Sequence, residues 1–324
     1  MKLRKLYEFF IEQGIAKDPR GVQCIKKLMK DKKEKFEKLP AEEKEDFDME
    51  TLTNPFTDSR ILNGTGEEEI KSIIVGIDME TPEILLAHTL KNSGTKIDLV
   101  LTHHPEGKAY ATFYNVMSMQ ADIFNKFGVP INIAETLTEA RLKEVGRRVS
   151  PQNHTRPVDA AKLLGLPYMS AHTVADNQVV TFLQAMFDKE QPERLSDVLK
   201  LLNTIPEYKE SAKNGAAPAI FVGNKDSRAG KIFVDMTGGT EPAKEILEKL
   251  ANAGIGTMIC MHMSDEHIKL AEKHNIRVVI AGHISSDNLG LNLLFDAAEK
   301  EFGPIQFLAC SGFRRFKRTK KSNS

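Results

Sequence analysis

Two adjacent histidines stand where an apolar, strand-like run of the sequence ends. In the stretch DLVLTHHPEG, the apolar residues 99–101 lead to His103 and His104, which are followed by Pro105 and Glu106. Ligands of open α/β sheets collect at the carboxyl ends of strands, and Pro105 restricts His104 to extended conformations. Because the backbone turns where a strand ends, two neighbouring imidazoles there can each serve a different ion. The doublet therefore indicates a candidate metal site.

A histidine followed four residues later by an aspartate comes after each of two further apolar runs. LPYMSAHTVADN contains His172 and Asp176, and RVVIAGHISSDN contains His283 and Asp287. The spacing of four places imidazole and carboxylate on one face of a helix that begins there. A single histidine at a strand end is usually a hydrogen-bonded packing residue. Three such strand ends in one chain instead predict a metal site of the kind that suits zinc, iron or manganese.

Composition limits the kind of protein and its partners. The 324 residues include 45 basic and 45 acidic side chains, so no net charge attracts nucleic acid or an anionic membrane. The three cysteines form no C-x-x-C pair, which indicates reduced thiols and no disulfide framework. No apolar stretch approaches the ~18 residues of a spanning helix, and the N-terminus lacks a signal-peptide core. We expect a cytoplasmic protein without a membrane partner. The absence of net charge also disfavours nucleic acid as a partner.

The elements that must position these residues follow an α/β pattern. From Lys71 onward, short apolar runs alternate with amphipathic segments of helical length, which is typical of βα units in a mainly parallel sheet. Residues 177–217 instead predict two or three helices and no strand, a junction between two α/β halves. We predict strands at 72–77, 97–102, 129–134, 166–171, 219–223, 231–236, 257–261, 277–282 and 305–310.

This pattern predicts an α/β protein with two α/β lobes, whose mainly parallel or mixed sheets clasp a metal cleft, and a helical N-terminal extension. The extension covers residues 1–50, and its lysine- and glutamate-rich part predicts a solvated helical face in preference to a partner-docking arm. The first lobe is discontinuous, 51–135 and 218–312, and residues 136–217 form the middle segment or second lobe. The basic tail, 313–324, is expected to be a frayed terminus.

Several motifs resemble, in the correct order, those of the NGG-interacting-factor-three-like family, also filed as type 2 GTP cyclohydrolase I. The resemblance runs from about residue 70 to about residue 310 and includes LTHHP, SAHTVAD, MTGGT and GHISSD. It implies two α/β domains around a dinuclear metal centre, often in a hexameric ring of identical subunits. Carried over position by position, it implies a set of five metal ligands: His103, His104, Asp176, His283 and Asp287.

The chain departs from the family's pattern at two of these motifs. The family usually has glutamate where this chain has Asp287, which is one methylene shorter. An aspartate there either bridges both ions from a closer helix or contacts metal only through water or a neighbouring residue. The histidine doublet is followed by Glu106-Gly107-Lys108 in place of apolar residues. This second difference bears on the substrate more than on the metal.

Two residues are candidates for proton transfer. Glu106 is a possible general base because it adjoins the histidine doublet. His172 is a possible acid or base, or it orients Asp176, and a structural role explains it equally well. His154 and Arg156 can form a pocket wall or belong to a helix cap. The remaining histidines are assigned to the surface or the core: His88, His262, His267 and His274.

The glycine turn in MTGGTEPAKEIL, residues 236–247, predicts a strand, a turn and a helix start. Backbone N–H groups at such a turn can bind a phosphate or carboxylate. Glycine turns before helices are also common for geometric reasons alone, so an anion site is one of two interpretations.

Together these features predict a metal-dependent hydrolase that acts on a small substrate, with nucleotides and phosphorylated compounds among the candidates. Two divalent ions, zinc, iron or manganese, would hold a bridging water and lower its pKa. The resemblance implies cyclohydrolase-like chemistry, phosphoesterase-like chemistry being the other option, although no guanine pocket is visible in the sequence. The alternative is a non-catalytic metal-binding scaffold or regulatory protein.

Overall fold

The computed structural model describes residues 1–318, in which nine strands form two sheets. The strands are β1 (Ile61–Asn63), β2 (Ser72–Gly76), β3 (Leu99–Thr102), β4 (Tyr168–Ser170), β5 (Ala219–Val222), β6 (Lys231–Asp235), β7 (Ile255–Cys260), β8 (Arg277–Ile280) and β9 (Gln306–Ala309). The helices are α1 (Leu3–Ala16), α2 (Val22–Glu37), α3 (Ala41–Glu45), α4 (Thr81–Asn92), α5 (Gly107–Ala111), α6 (Met119–Lys126), α7 (Ile131–Val149), α8 (Arg156–Leu163), α9 (Thr173–Glu190), α10 (Leu195–Leu202), α11 (Pro206–Lys213), α12 (Ile246–Asn252), α13 (Asp265–Lys273) and α14 (His283–Phe302). Two 3₁₀ helices cover Met49–Leu52 and Phe113–Ser118.

The first sheet has the strand order β1-β4-β3-β2-β9, and the second has the order β5-β8-β7-β6. Pairing is parallel except at one edge of each sheet, where β1 and β5 run antiparallel to their neighbours. Every residue of β2 and β3 is buried, as expected of parallel strands covered on both faces. The predicted α/β class with mixed sheets is confirmed.

Eight of the nine predicted strands are present, and the one at 129–134 is wrong. Helix α7 begins at Ile131, with Pro130 immediately before it. Proline is compatible with a helix start, and the buried residues Ala134, Thr138 and Val145 recur at helical spacing. Strand β1 was not predicted, because three partly buried residues carry too short a pattern.

The division of strands between the sheets differs from the predicted lobes. Strands between residues 219 and 280 form the second sheet by themselves, whereas residues 51–135 and 218–312 were expected to share one lobe. Strand β4, from the predicted middle segment, pairs with β3 in the first sheet, and β9 returns to that sheet beside β2. Apolar runs identify strands but do not say which neighbour each strand pairs with.

Helices α9 and α14 pack against each other between the two sheets. Val174 of α9 and Leu291 of α14 belong to the core of the first sheet, while Val179 and Leu289 belong to a core shared with the second. Close approach of the two helices depends on Gly290, where an added Cβ would lie 2.5 Å from the carbonyl oxygen of Ala175. The pair joins the two halves of the molecule.

Helix α1 is an integral part of the first core. Leu3, Leu6 and Phe10 are buried there, and α1 contacts both α9 and α14. Side chains of α9 bond the carbonyl groups at the end of α1, as when Thr181 Oγ1 donates to Lys17 O at 2.6 Å. In α2, by contrast, Ile25 is the one buried residue, in agreement with the predicted solvated face.

The C-terminal segment was expected to be frayed, and as far as Arg318 this is wrong. Phe313 is fully buried, and Arg315 bonds Asp296 at 2.5 Å. Arg318 donates two hydrogen bonds to Glu207, a buried carboxylate of α11. The basic residues therefore pair with acidic groups of the folded chain, and residues 319–324 lie outside the described part. Within residues 1–318, no helix combines the length and apolarity needed to cross a bilayer.

Candidate metal centre

The three strand ends that the sequence singled out meet at one place. His103 and His104 follow β3, His172 and Asp176 begin α9, and the first turn of α14 carries His283 and Asp287. Gly282, with φ of +107°, turns the chain from β8 into α14. All five predicted metal ligands and His172 therefore face a common cleft between the two sheets.

The ligand atoms lie at the separations expected around small cations. His103 Nε2 is 3.4 Å from Asp176 Oδ1 and 3.4 Å from Asp287 Oδ1. Asp287 Oδ2 lies 3.6 Å from His104 Nε2 and 3.7 Å from His283 Nε2. The two oxygens of the shorter Asp287 side chain thus face different histidines, so Asp287 lies within the cluster of candidate ligands.

Two overlapping groups of residues can hold a metal ion. One consists of His103, His172 and Asp176, and the other of His103, His104 and Asp287. In each group the ligand atoms lie within 4.8 Å of one another. His172 therefore stands among the potential ligands, although the sequence suggested proton transfer for it.

The donor set fits divalent cations because its buried polar atoms have no other partner. His103 Nε2, Asp176 Oδ1 and both carboxylate oxygens of Asp287 make no hydrogen bond within residues 1–318. Each buried unsatisfied polar group costs about 1–3 kcal/mol, and charged groups cost more. A cation bound between the imidazoles and carboxylates would satisfy all four atoms at once.

Burial and charge set the protonation of these groups. Burial lowers the pKa of His283 to about 4, which leaves the neutral imidazole that binds metals. Burial raises the pKa of Asp176 to about 6. Although burial opposes its charge, the neighbouring His103 holds the pKa of Asp287 below its ordinary value. For His172, burial is outweighed by Asp176 and Asp58, which raise its pKa to about 9.

Two carboxylates that the sequence analysis missed orient the histidines. Asp58 is fully buried and lies 2.8 Å from His172 Nδ1, and it also accepts a hydrogen bond from Thr173. Asp78 lies 2.6 Å from His104 Nδ1. With Nδ1 held in this way, Nε2 of each ring is directed towards the cluster. Asp78 follows β2 and could have been found as a strand-end carboxylate, whereas Asp58 lies in a loop without such a signal.

The second sheet contributes His262, which the sequence analysis assigned to the surface or the core. It follows β7, and its ring centroid lies 5.0 Å from that of His283. Its Nδ1 is 3.5 Å from Glu241 Oε1. Its position at a strand end was the signal that identified the other histidines. His267 instead bonds Ser264 and the carbonyl of Pro242, as a structural histidine does.

Glu106 lines a cavity of about 380 Å³ beside His104. Burial, followed by the charge of Glu80, raises the pKa of Glu106 to about 7. His154 and Arg156 line the same cavity, in agreement with a pocket wall. Glu106 thus lies near the histidine doublet. Within residues 1–318, its side chain makes no hydrogen bond to either histidine.

The glycine turn at 238–239 has a packing role and does not lead into a helix. Both residues have positive φ, but helix α12 begins only at Ile246, so no helix N-terminus faces the turn. A Cβ on Gly238 would lie 2.8 Å from Gln120 Cγ, whose amide nitrogen donates to the carbonyl groups of Gly238 and Thr240. The glycines allow this segment to pack closely against α6.

Comparison with solved structures places this architecture in a known group. A NIF3 superfamily protein from Sphaerobacter thermophilus is 26% identical, with a TM-score of 0.68 over 79% of this chain and 92% of that protein. The chain resembles the NIF3 superfamily in fold and in sequence. No family model and no curated protein matches it. The resemblance noted in the sequence is confirmed.

Other solved structures match at lower identity and lower TM-score. Reduced HcgD from Methanocaldococcus jannaschii is 15% identical, with a TM-score of 0.49 over 78% of this chain and 87% of that protein. A Bacillus cereus protein related to NIF3 is 10% identical, with a TM-score of 0.40 over 78% and 90% of the two chains. In this chain, histidine and aspartate side chains that could hold metal lie together at the cleft.

Proposed function

We propose that this NIF3-like protein binds two divalent ions and hydrolyses a small substrate with them. The observation that carries the proposal is the set of four buried ligand atoms on His103, Asp176 and Asp287 that have no hydrogen-bond partner within residues 1–318. Such atoms are costly in a folded protein unless a cation or another partner binds them. Their position at the meeting point of three strand ends supports a built site.

The residues divide into two ligand sets. His103, Asp176 and Asp287 would hold one ion, while His104, His283 and Asp287 would hold the other. Imidazole with carboxylate accepts zinc, iron or manganese. When bound, a metal pair supplies a water of lowered pKa and polarises a carbonyl or phosphoryl oxygen.

The residues around the cleft favour a catalytic metal site in preference to a closed structural metal site. The cleft leads into two cavities, one lined by Glu106 and Arg156 and the other by Glu241 and His262. Catalytic metal sites keep positions open to substrate, whereas structural sites are closed by protein ligands. His172, held by Asp58 on one side, presents Nε2 to the cleft and can hold a proton there. Glu106 is the second candidate for proton transfer.

Metal analysis tests the site. Protein purified without chelator is expected to contain close to two ions per chain, and His104→Ala to lose at least one because a ligand is removed. His88→Ala is the matched control, since His88 bonds Asn92 on the exposed side of α4. Unchanged metal content in His104→Ala would remove the proposed centre.

Turnover is tested separately from metal binding. Metal-loaded protein would be screened against phosphoesters, cyclic amides and nucleotides, with Asp176→Asn as the blank. A hydrolase gives activity above this blank, whereas a metal-binding scaffold gives none in either protein.

A further inference from the structure

The last described residues of the chain lie along α14, the helix whose first turn carries two candidate ligands. We call residues 311–318 the strap. Within it, alternate backbone N–H groups donate to side chains that are four residues apart on the helix. The pairs are Arg314 with Asn288 at 2.5 Å, Phe316 with Asn292 at 3.1 Å and Arg318 with Asp296 at 3.1 Å. The strap therefore follows α14 over about two turns.

The spacing of the strap matches the spacing of the helix. Two residues of extended chain advance by about 6.6 Å, and four residues of an α-helix advance by about 6 Å. Asn288 and Asn292 are buried. Their amide nitrogens also donate to the strap, to the carbonyl groups of Gly312 at 3.0 Å and Arg314 at 2.9 Å. Asn288 Nδ2 donates in addition to Ile284 O at 2.7 Å, and so bonds the strap to the first turn of α14.

The inner end of the strap lies between two segments that carry candidate metal ligands. Ser311 O accepts a hydrogen bond from Ile77 N at 2.8 Å, and Ile77 O accepts one from His104 N at 2.9 Å. A Cβ added to Gly312 would lie 3.3 Å from Ile284 and 3.5 Å from Ile77. The strap therefore joins the end of β2, which contacts the histidine doublet, to the first turn of α14.

We propose that the strap positions the ligands of one metal ion, because it fixes the end of β2 and the first turn of α14 relative to each other. This proposal rests on the proposed function, which assigns three ligands to that ion: His104, His283 and Asp287. The other ion keeps three candidate ligands outside α14: His103, His172 and Asp176. Release of the strap is therefore expected to weaken binding of the first of these ions and to spare the second.

Zinc affinity of strap variants tests the proposal in the full chain. Asn292→Ala removes the central pair of strap contacts. Arg315→Gln removes the ionic contacts of the strap with Asp296 at 2.5 Å and Glu299 at 2.7 Å. Each substitution is expected to weaken one of two zinc ions about tenfold and to change the other by about twofold or less. Competition with a chelator of known zinc affinity measures both constants.

Control variants separate positioning from a general loss of stability. Arg228→Gln removes an exposed arginine before β6, and Asn125→Ala removes an amide that bonds Val129 O after α6. Neither should change zinc affinity. In a His104→Ala background, where one ion is already lost, Arg315→Gln should leave the affinity of the remaining ion unchanged. Urea unfolding verifies that each variant is folded.

Tryptic cleavage after Arg315 gives a second readout, because coupling between two sites is reciprocal. A strap that fixes metal ligands is in turn held in place by bound metal. Zinc should therefore slow this cleavage about fivefold or more. Cleavage after the exposed Lys33 of α2, a helix without candidate ligands, is the internal control. Mass spectrometry of timed digests of metal-free and zinc-loaded protein measures both rates.

The outcomes separate the two proposals. Unchanged zinc affinities in both strap variants, or equal weakening of both ions, would overturn the positioning role and leave the metal centre intact. A cleavage rate after Arg315 that zinc does not alter would overturn it as well. Failure of the unsubstituted protein to bind zinc would instead refute the metal centre and the proposed function.

Discussion

At the scale of single residues, the cleft shows how buried charge is divided between partnered and unpartnered groups. Asp58 is buried and fully engaged by His172, Thr173 and Ser59. Asp287 is equally buried, yet both of its oxygens lack a hydrogen bond within the described residues. The first arrangement stabilises the apo protein, while the second becomes favourable once a cation is bound.

Asp235 is a third case, and it predicts a pH-dependent stability. Burial, followed by the charge of Glu241, raises its pKa from 3.8 to about 7, while His262 opposes the shift and the neutral thiol of Cys260 adjoins it. Because the folded chain holds this proton more tightly than the unfolded chain, stability falls as the pH rises from about 4 to about 7. Asp235→Asn removes that loss.

We expect Asp235→Asn to raise the free energy of unfolding by about 1–3 kcal/mol at pH 8 and to change it little at pH 3.5. Urea unfolding of the metal-free variant and of the unsubstituted protein at both pH values measures the difference between their free energies of unfolding. Because the other groups titrate in both proteins, their contributions cancel in this difference. Asp226→Asn, at an exposed loop residue, is the control. An equal effect at the two pH values would contradict the assignment.

At the scale of elements, the sequence predicted strands better than their partners. Continuous apolar runs identified β2 and β3 because both are buried on two faces. Pairing of β4 with β3, and the separation of β5 to β8 into a second sheet, depends on long-range packing that local patterns do not contain. The start of α7 was missed because an apolar run after Pro130 fits a short strand and a helix equally well.

The candidate site was predictable to the extent that its residues follow strands. His103, His104 and the two His-x-x-x-Asp pairs carry that signal. Asp58 comes from a loop in which the Ser59 hydroxyl donates to the Asp58 carboxylate and the Ser170 hydroxyl of β4 donates to the Asp58 carbonyl, an arrangement visible only in three dimensions. His262 carried the strand-end signal, and assigning it to the surface or the core overlooked it.

Packing of α9 against α14 predicts the effect of a small substitution. Gly290→Ala would place Cβ 2.5 Å from the backbone of Ala175, so the helices must separate. Overpacking typically costs 1–3 kcal/mol, which exceeds the helix-propensity gain of about 1 kcal/mol. Asp176 and Asp287 would move apart with the helices, and zinc affinity should fall as well.

Chemical denaturation and zinc titration of Gly290→Ala measure both effects. Gly146→Ala in α7 is the matched control, because its added Cβ meets only ordinary contacts with Tyr114 at 3.4 Å. It should be neutral or slightly stabilising. A stable Gly290→Ala protein with unchanged zinc affinity would show that the two helices tolerate separation.

At the scale of the whole molecule, α9 and α14 join the two halves. They pack against each other and contribute side chains to the cores of both sheets. The candidate ligands come from α9, α14 and the end of β3, whereas His262 comes from the second sheet. A change in the relative position of the halves would therefore alter the candidate metal centre and the adjoining cavity together.

Assembly of several chains stays a prediction from the family resemblance. We expect a hexameric ring, with a mass about six times the chain mass of 36.2 kDa. Leu85, Leu86 and Leu163 on α4 and α8 are exposed apolar side chains of the kind that subunit contacts cover. Light scattering over a range of protein concentrations measures the mass, and a value of 36.2 kDa throughout would contradict the ring.

The loop that contains Asp58 has a practical consequence for anyone who trims the protein. Residues before β1 look dispensable, because the sheets begin later and the family resemblance starts near residue 70. Yet a shortened chain beginning at Ile61 would lose the carboxylate that holds His172, along with α1, whose side chains fill the core beneath α9. The shortest chain that keeps the candidate site intact is therefore longer than the part in which the sequence resemblance is found.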